Sequence, residues 1–100
     1  MHIQFNTGHN TDGNDKLAEH VADVVRSDLG NLADHVTRVE VHLSDPGGDA
    51  LHEMRCMMEA RLEGKQPIAV DHQSDSIHQV VGGASKKLKR VVANALRAKH

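Results

Sequence analysis

The sequence predicts an α+β fold in which two helices pack side by side on one face of a four-stranded sheet. Four short segments alternate apolar and polar residues with the period of two that a half-buried strand shows. Two longer segments carry apolar residues at helical spacing, and two amphipathic helices can cover the apolar face of such a sheet. In chain order the segments give β-α-β-β-β-α. A chain of 100 residues suits one domain, residues 1–100.

The first strand is predicted at His2–Thr7, where two apolar residues share one side. Residues 8–15 are rich in turn formers and are expected to form a loop. Asn14 or Asp15 can then cap the first helix, and Gly30 is expected to loosen or end it. The apolar positions of this helix are Leu17, Val21, Val24, Val25, Leu29 and Leu32.

Three further strands are predicted in the middle of the chain, in the segments HVTRVEVHLSD, LHEMRCMMEARLEG and IAVDHQ. The stretches DPGGD and GKQP separate them as turns. The side chains expected to face the core are Thr37, Val39, Val41 and Leu43, then Met54, Cys56, Met58, Ala60 and Leu62, then Ile68 and Val70. On the outer face of the third strand, glutamates alternate with Arg55 and Arg61, which is typical of cross-strand charge pairing. Met57 interrupts that face.

The second helix is predicted from about Asp75, where the apolar period changes to that of a helix. Its apolar stripe consists of Ile77, Val80, Val81, Ala84, Leu88, Val91, Val92 and Ala95. Gly82 and Gly83 lie inside this pattern. They either weaken the helix by about 1 kcal/mol each relative to alanine or allow a close approach of the helix to the sheet. The sequence leaves both readings open.

Charge is distributed unevenly along the chain. Residues 1–75 hold all 14 acids and 6 of the 12 lysines and arginines, a balance of 6 − 14 = −8, whereas residues 76–100 hold the other 6 bases and no acid. Lys86, Arg90 and Arg97 fall opposite the apolar stripe, and Lys87 and Lys89 flank it. Either the basic segment meets an anionic partner, or the two parts of the chain attract each other in the fold.

No residue pattern indicates an enzyme, a cofactor or a metal site. The nine histidines show no metal-ligand spacing, and the glycines before the lysines do not form a GxxxxGK[ST] phosphate loop. Cys56 falls on the inward face of its strand, where cysteine acts as a small hydrophobe. The expectation is a non-enzymatic protein that carries neither cofactor nor metal.

The composition predicts a cytoplasmic protein without a membrane partner. The single cysteine cannot form an internal disulfide and suits a reducing compartment. The chain shows neither a signal-peptide pattern at its start nor an apolar run of the roughly 18 residues that a membrane span needs.

The basic segment favours RNA among the anionic partners. The chain lacks Trp and Tyr and has one Phe, so the cations are not interleaved with aromatic stacking residues. Lysine and arginine in this setting favour contacts with phosphates. Structured RNA, rather than DNA, is therefore the expected nucleic acid, because RNA is commonly recognised through backbone and shape.

Three segments resemble the ribosome hibernation promoting factor family, also called ribosome-associated inhibitor, ribosomal subunit interface protein or sigma-54 modulation protein. They are TRVEVHLSD (Thr37–Asp45), RCMMEARLEGKQPIAV (Arg55–Val70) and ASKKLKRVV (Ala84–Val92). The resemblance spans nearly the whole chain, and the predicted element order agrees with the family's fold, which is like that of double-stranded-RNA-binding domains.

The resemblance implies a bacterial protein that binds the small ribosomal subunit in stationary phase or stress. It would bind rRNA in the mRNA and tRNA channel and block translation, with no C-terminal dimerisation domain. The rRNA contacts implied are Lys86, Lys87, Lys89, Arg90, Arg97 and Lys99, and more weakly Arg38, Arg55 and Arg61. The alternative is a protein-interaction module whose basic helix meets an acidic protein. The oligomeric state is left open.

Overall fold

The computed structural model describes residues 1–7, 15–44 and 54–98, and its element order confirms the predicted β-α-β-β-β-α. The elements are β1 (His2–Thr7), α1 (Asp15–Leu29), a 3-10 helix (Gly30–His35), β2 (Val36–Ser44), β3 (Met54–Leu62), β4 (Ile68–Ser74) and α2 (Ile77–Arg97). Residues 8–14 of the loop predicted at 8–15 and the predicted turn at 45–49 lie outside the described residues, and Asp15 is the first residue of α1. Among the helices of the described ranges, none combines the length and apolarity needed to cross a membrane.

The four strands form one mixed sheet in the order β1-β2-β3-β4. β1 runs parallel to β2, with His2 opposite Arg38, whereas β2–β3 and β3–β4 are antiparallel. A parallel pair cannot be joined by a tight turn and needs a long crossover. The segment between β1 and β2, which contains α1 and the 3-10 helix, provides this crossover.

Both helices lie on one face of the sheet, and the core fills the layer between helices and strands. α2 packs on β3 and β4, and α1 packs beside α2. The core is aliphatic, as the composition predicts, with Phe5 only partly buried at its margin. The buried apolar residues are Val21, Val25, Leu29, Val36, Val39, Val41, Leu43, Cys56, Met58, Ala60, Leu62, Val80, Val81, Ala84, Leu88 and Val92.

The end of α1 and the start of α2 follow from local chemistry. α1 ends at Leu29, and Gly30 follows with φ of +54°, a left-handed conformation that glycine adopts without a steric penalty. At the start of α2, the hydroxyl oxygen of Ser76 accepts a hydrogen bond from the backbone N–H of Gln79 at 3.2 Å. This cap satisfies one of the N–H groups that the first turn of a helix leaves unpaired.

The prediction that Thr37 faces the core is wrong. The register between β2 and β3 shifts between Val36 and Arg38, so Val36 is buried and Thr37 is exposed. The Thr37 hydroxyl donates a hydrogen bond to the Arg61 carbonyl at 2.9 Å. An irregularity of this kind reverses the facing of residues on one side of it, and the predicted alternation holds from Val39 onward.

The two glycines of α2 have different surroundings. A Cβ atom added at Gly83 would overlap the ring of His72, a half-buried side chain of β4. A Cβ atom added at Gly82 would meet nothing within 4 Å. Of the two readings that the sequence leaves open, close approach of helix to sheet therefore applies at Gly83 alone.

Cys56 is a core residue of β3 with no exposed surface. Burial disfavours the charged thiolate and raises the pKa of the Cys56 thiol from 9.0 to about 11. The thiol is therefore protonated at neutral pH and packs as a small apolar group, as the sequence predicts.

We expect Gly83→Ala to lower the free energy of unfolding by roughly 1–3 kcal/mol, because the new methyl group displaces the His72 ring. Gly82→Ala is the matched control. It gains helix propensity without a clash and should raise the free energy of unfolding by up to about 1 kcal/mol. Urea denaturation of both variants, alone and with His72→Ala, measures the difference. Equal stabilities of the two alanine variants would contradict the close approach.

We expect the free energy of unfolding to fall between pH 9.0 and about 11 more steeply in the wild-type protein than in Cys56→Ala. In this window the thiol ionises in the unfolded chain but stays protonated in the core, so the unfolded state binds fewer protons. The difference should be on the order of 2 kcal/mol over the window. Denaturant titrations at both ends of it provide the measurement, and identical pH slopes for the two proteins would refute the expectation.

Candidate nucleic-acid interface

The exposed face of α2 concentrates the positive charge of the described chain. The helix carries five cations and no acid. Lys86 and Arg90 are one turn apart, and Arg97 continues the same row, which spans about 16 Å at the helical rise of 1.5 Å per residue. The cations are Lys86, Lys87, Lys89, Arg90 and Arg97, all with exposed side chains. Lys99, the sixth predicted contact, lies outside the described residues.

Two of the five cations contact other parts of the fold. The Lys87 ammonium donates a hydrogen bond to the Asp71 backbone carbonyl of β4 at 2.9 Å. The Lys86 ammonium lies 3.9 Å from the Asp28 carboxylate of α1, but the Lys86 side chain is 76% exposed. An ion pair this open to water contributes little to stability. Lys86 thus remains available to a ligand, whereas Lys87 has to release a hydrogen bond.

The other three cations are unengaged. Among the residues that the structure describes, Lys89, Arg90 and Arg97 form no ion pair with a carboxylate and donate no side-chain hydrogen bond. A phosphate that approaches them displaces no protein partner. These residues also stand on a rigid support, since the opposite side of α2 is buried against the sheet.

Arg55, one of the three predicted contacts on the outer sheet face, is held by a carboxylate. Its guanidinium donates to one Asp71 carboxylate oxygen from Nη2 at 2.6 Å and from Nε at 3.1 Å. The pair joins β3 to β4, so the predicted cross-strand charge pairing is confirmed at this arginine, with an aspartate of β4 as the partner. Both side chains are about half exposed.

Arg38 and Arg61 belong to a group of four charges in which like charges face each other across the strands. Arg38 lies opposite Arg61, and Glu40 lies opposite Glu59. The predicted cross-strand pairing is wrong for Arg61, whose carboxylate partner is Glu59 of the same strand at 3.8 Å. Arg38 lies 3.1 Å from Glu40 within β2 and also donates to the Gln4 side chain of β1. Each arginine is thereby neutralised by its own strand.

A groove between α1 and α2 is a feature that the sequence analysis did not single out. His20 of α1 and His78 of α2 meet there edge to face, with ring centroids 5.1 Å apart and ring planes at 85°. One Asp28 carboxylate oxygen, Oδ2, is buried and has no hydrogen-bond partner among the described residues. The groove is lined by His20, Asp23, Val24, Ser27, Asp28, His78, Gly82 and Lys86.

The missed groove has only a weak sequence signal. His20 and His78 each stand beside the first apolar residues of their helix, which places them at the edge of the buried stripe. Their meeting depends on how the two helices pack, and spacing along the chain does not contain that information. No group of three or more His, Cys, Asp or Glu side chains within residues 1–7, 15–44 and 54–98 is arranged to hold a metal ion.

Comparison with known proteins gives a family and a fold. The model of the family described as "Sigma 54 modulation protein / S30EA ribosomal protein" matches residues 6–98. A ribosomal subunit interface protein from Coxiella burnetii is similar in structure, with a TM-score of 0.79, 17% identity, and coverage of 98% of this chain and 100% of that chain.

A second solved structure agrees with the first. The N-terminal domain of Thermus thermophilus Protein Y superposes with a TM-score of 0.75 at 20% identity, and the match covers 95% of this chain and 99% of that one. At sequence identities this low, the structural similarity establishes a common fold and nothing further. A search among curated proteins finds no match.

We expect the Lys87 amine to be acylated about two- to tenfold more slowly than the Lys89 amine, because a hydrogen bond worth roughly 1 kcal/mol has to open first. Lys89 is the internal control, since it stands on the same helix without such a bond. Brief labelling with an amine-reactive ester, followed by peptide mass spectrometry, compares the two. Equal rates in the folded protein would show that Lys87 does not hold the β4 carbonyl.

Proposed function

Because the chain belongs to the Sigma 54 modulation protein / S30EA ribosomal protein family, we propose that it binds the small ribosomal subunit through the exposed cations of α2. The family is not one of enzymes, so the expected action is occupancy of a site rather than a reaction. A ribosomal subunit interface protein is among the solved structures that share the fold. The proposed partner is the rRNA of the small subunit, and the proposed compartment is the cytoplasm.

The observation that carries this proposal is the contrast between the two basic surfaces. On the outer sheet face of the described structure, Arg38, Arg55 and Arg61 each pair with a carboxylate, so these arginines leave no unbalanced positive charge there. On α2, five cations stand without an acid in the helix, and three of them have no partner among the described residues. Unpaired lysines and arginines in a row suit the phosphates of structured RNA, which proteins recognise by backbone and shape.

The acidic character of α1 orients the proposed complex. α1 carries four acids and two bases, a balance of 2 − 4 = −2, directly beside the basic helix. Phosphates attract α2 and repel α1. Charge arranged in this way fixes the orientation of docking more than it adds affinity. The α2 side therefore faces the rRNA.

Inhibition of translation follows from exclusion. A protein seated in the mRNA and tRNA channel of the small subunit prevents those ligands from binding there, and it needs neither cofactor nor catalytic group. Such a role matches the resemblance to ribosome hibernation factors, which act in stationary phase and stress. The rigid seating of α2 on the sheet supports the role, since little ordering of the helix is required on binding.

We expect the triple variant Lys89→Gln/Arg90→Gln/Arg97→Gln to bind salt-washed small subunits about tenfold more weakly or worse at moderate salt. The slope of log affinity against log salt should become shallower by about one per residue removed. Co-sedimentation at several salt concentrations provides the measurement. The fold should persist, because these side chains form no hydrogen bond or ion pair among the described residues.

The matched control is Lys16→Gln/Arg26→Gln/Lys65→Gln, which removes three exposed cations from outside α2 and changes the net charge equally. Equal losses in the two triple variants would mean that net charge, and not the α2 surface, drives binding. Competition by mRNA and by initiator tRNA tests the location in the channel. Salt-independent binding would contradict a contact made through the cations of α2. No binding at any salt would favour the alternative of an acidic protein partner.

A further inference from the structure

We propose that the groove between α1 and α2 receives one unstacked rRNA base that carries an exocyclic amino group. This inference rests on the proposed function and adds a base-reading element to a surface otherwise suited to phosphates. The groove opens beside the cation row of α2, because Lys86 belongs to both. An RNA strand that follows the row therefore passes the mouth of the groove.

The histidine pair supplies the aromatic surface that the composition otherwise lacks. His20 and His78 meet edge to face at 5.1 Å, so the ring that presents its edge keeps both of its faces outside the pair. His78 is exposed and His20 is half-buried. Bases in single-stranded regions stack on such rings, and proteins read their hydrogen-bonding edges once they are unstacked.

The charges of the groove favour a base over a phosphate. Two carboxylates, from Asp23 and Asp28, stand against one ammonium, from Lys86. A phosphate would be repelled, whereas an amino group would be attracted. The Asp28 side chain lines the groove and is 22% exposed, so its carboxylate supplies an acceptor at the groove wall, although the Oδ2 atom itself is buried. Cytosine, adenine and guanine each offer an exocyclic amino group as donor, and uracil has none.

The remaining lining residues leave room for a flat ligand. Gly82 has no side chain, and even an added Cβ atom there would meet nothing within 4 Å. Val24 contributes an apolar wall. The Lys86 ammonium, 3.9 Å from Asp28 and mostly exposed, stands where it can meet the phosphate that flanks the base. The Lys86 ammonium would repel a lysine or arginine side chain of a ribosomal protein, which is the other group that could enter a groove lined by two carboxylates.

The test compares short oligocytidine with oligouridine of equal length, since the two bases differ at the position of the amino group. Wild-type protein should prefer oligocytidine. His20→Ala/His78→Ala should weaken oligocytidine binding by about tenfold, within the range measured for lost base stacking, and should leave the salt slope unchanged. His20→Phe/His78→Phe should retain the affinity, since it keeps the aromatic faces. Asp28→Ala, which removes the acceptor, should abolish the preference for cytidine.

Lys89→Ala is the control for a phosphate contact. It should weaken both oligonucleotides equally and make the salt slope shallower by about one. The same variants are then measured on salt-washed small subunits, where His20→Ala/His78→Ala should again lose affinity without a change of slope. Circular dichroism verifies that each variant is folded.

The outcomes separate this inference from the proposed function. If the wild-type protein binds small subunits but shows no preference for cytidine, or if the double alanine variant binds like the wild type, the base site is refuted and the proposed function stands. A loss that is equal for both oligonucleotides and accompanied by a shallower slope also refutes it, because the histidines would then act as charges. If the wild type binds neither small subunits nor oligonucleotides, both proposals fail.

Discussion

Burial of the apolar stripe of α2 against the sheet is the interaction on which the rest of the structure depends. A helix with five cations and no acid opposes its own formation, since like charges three or four residues apart destabilise it by about 0.2–0.5 kcal/mol per pair. Burial of one large aliphatic side chain such as Leu88 contributes about 1.5–3 kcal/mol. Packing therefore outweighs the repulsion, and the concentrated charge exists because the sheet holds the helix.

The two faces of the sheet handle charge in opposite ways. The covered face is aliphatic, and the outer face balances arginines with carboxylates. Across β2 and β3, Arg38 faces Arg61 and Glu40 faces Glu59, an arrangement that is unfavourable for isolated pairs. The repulsion between these like charges is offset because each arginine lies near a glutamate of its own strand. Local neutralisation on this face leaves α2 as the surface from which positive charge projects.

Much of the fold can be predicted from the sequence, because alternation and helical spacing report which residues must leave water. The strand bounds of β1 and the stripe of α2 follow in this way. The incorrect predictions share one cause, because strand register and the packing of elements depend on residues that are distant in the sequence. The facing of Thr37 depends on the irregularity between β2 and β3, and the partner of Arg61 depends on that same register.

In the candidate site, too, the residue types can be predicted from the sequence, whereas their contacts with other elements cannot. The cations of α2 are visible as a run of residues, so the sequence identifies them directly. The sequence does not show which of these cations are free to bind a ligand, because Lys87 and Lys89 differ only in the groups that the fold places beside them. The two histidines of the interhelical groove lie 78 − 20 = 58 positions apart in the chain and become neighbours only when α1 meets α2.

The parallel pairing of β1 has a consequence for how the chain acquires its structure during synthesis. β1 is made first, yet its partner positions in β2 come 38 − 2 = 36 positions later. The pairing is long in contact order, so loop closure has to precede any gain from it. The apolar side of the sheet is then fully covered only when α2, the last of these elements in chain order, has been made. β1 therefore gains its full packing late, and the sheet and the two helices fold together once α2 has been synthesised.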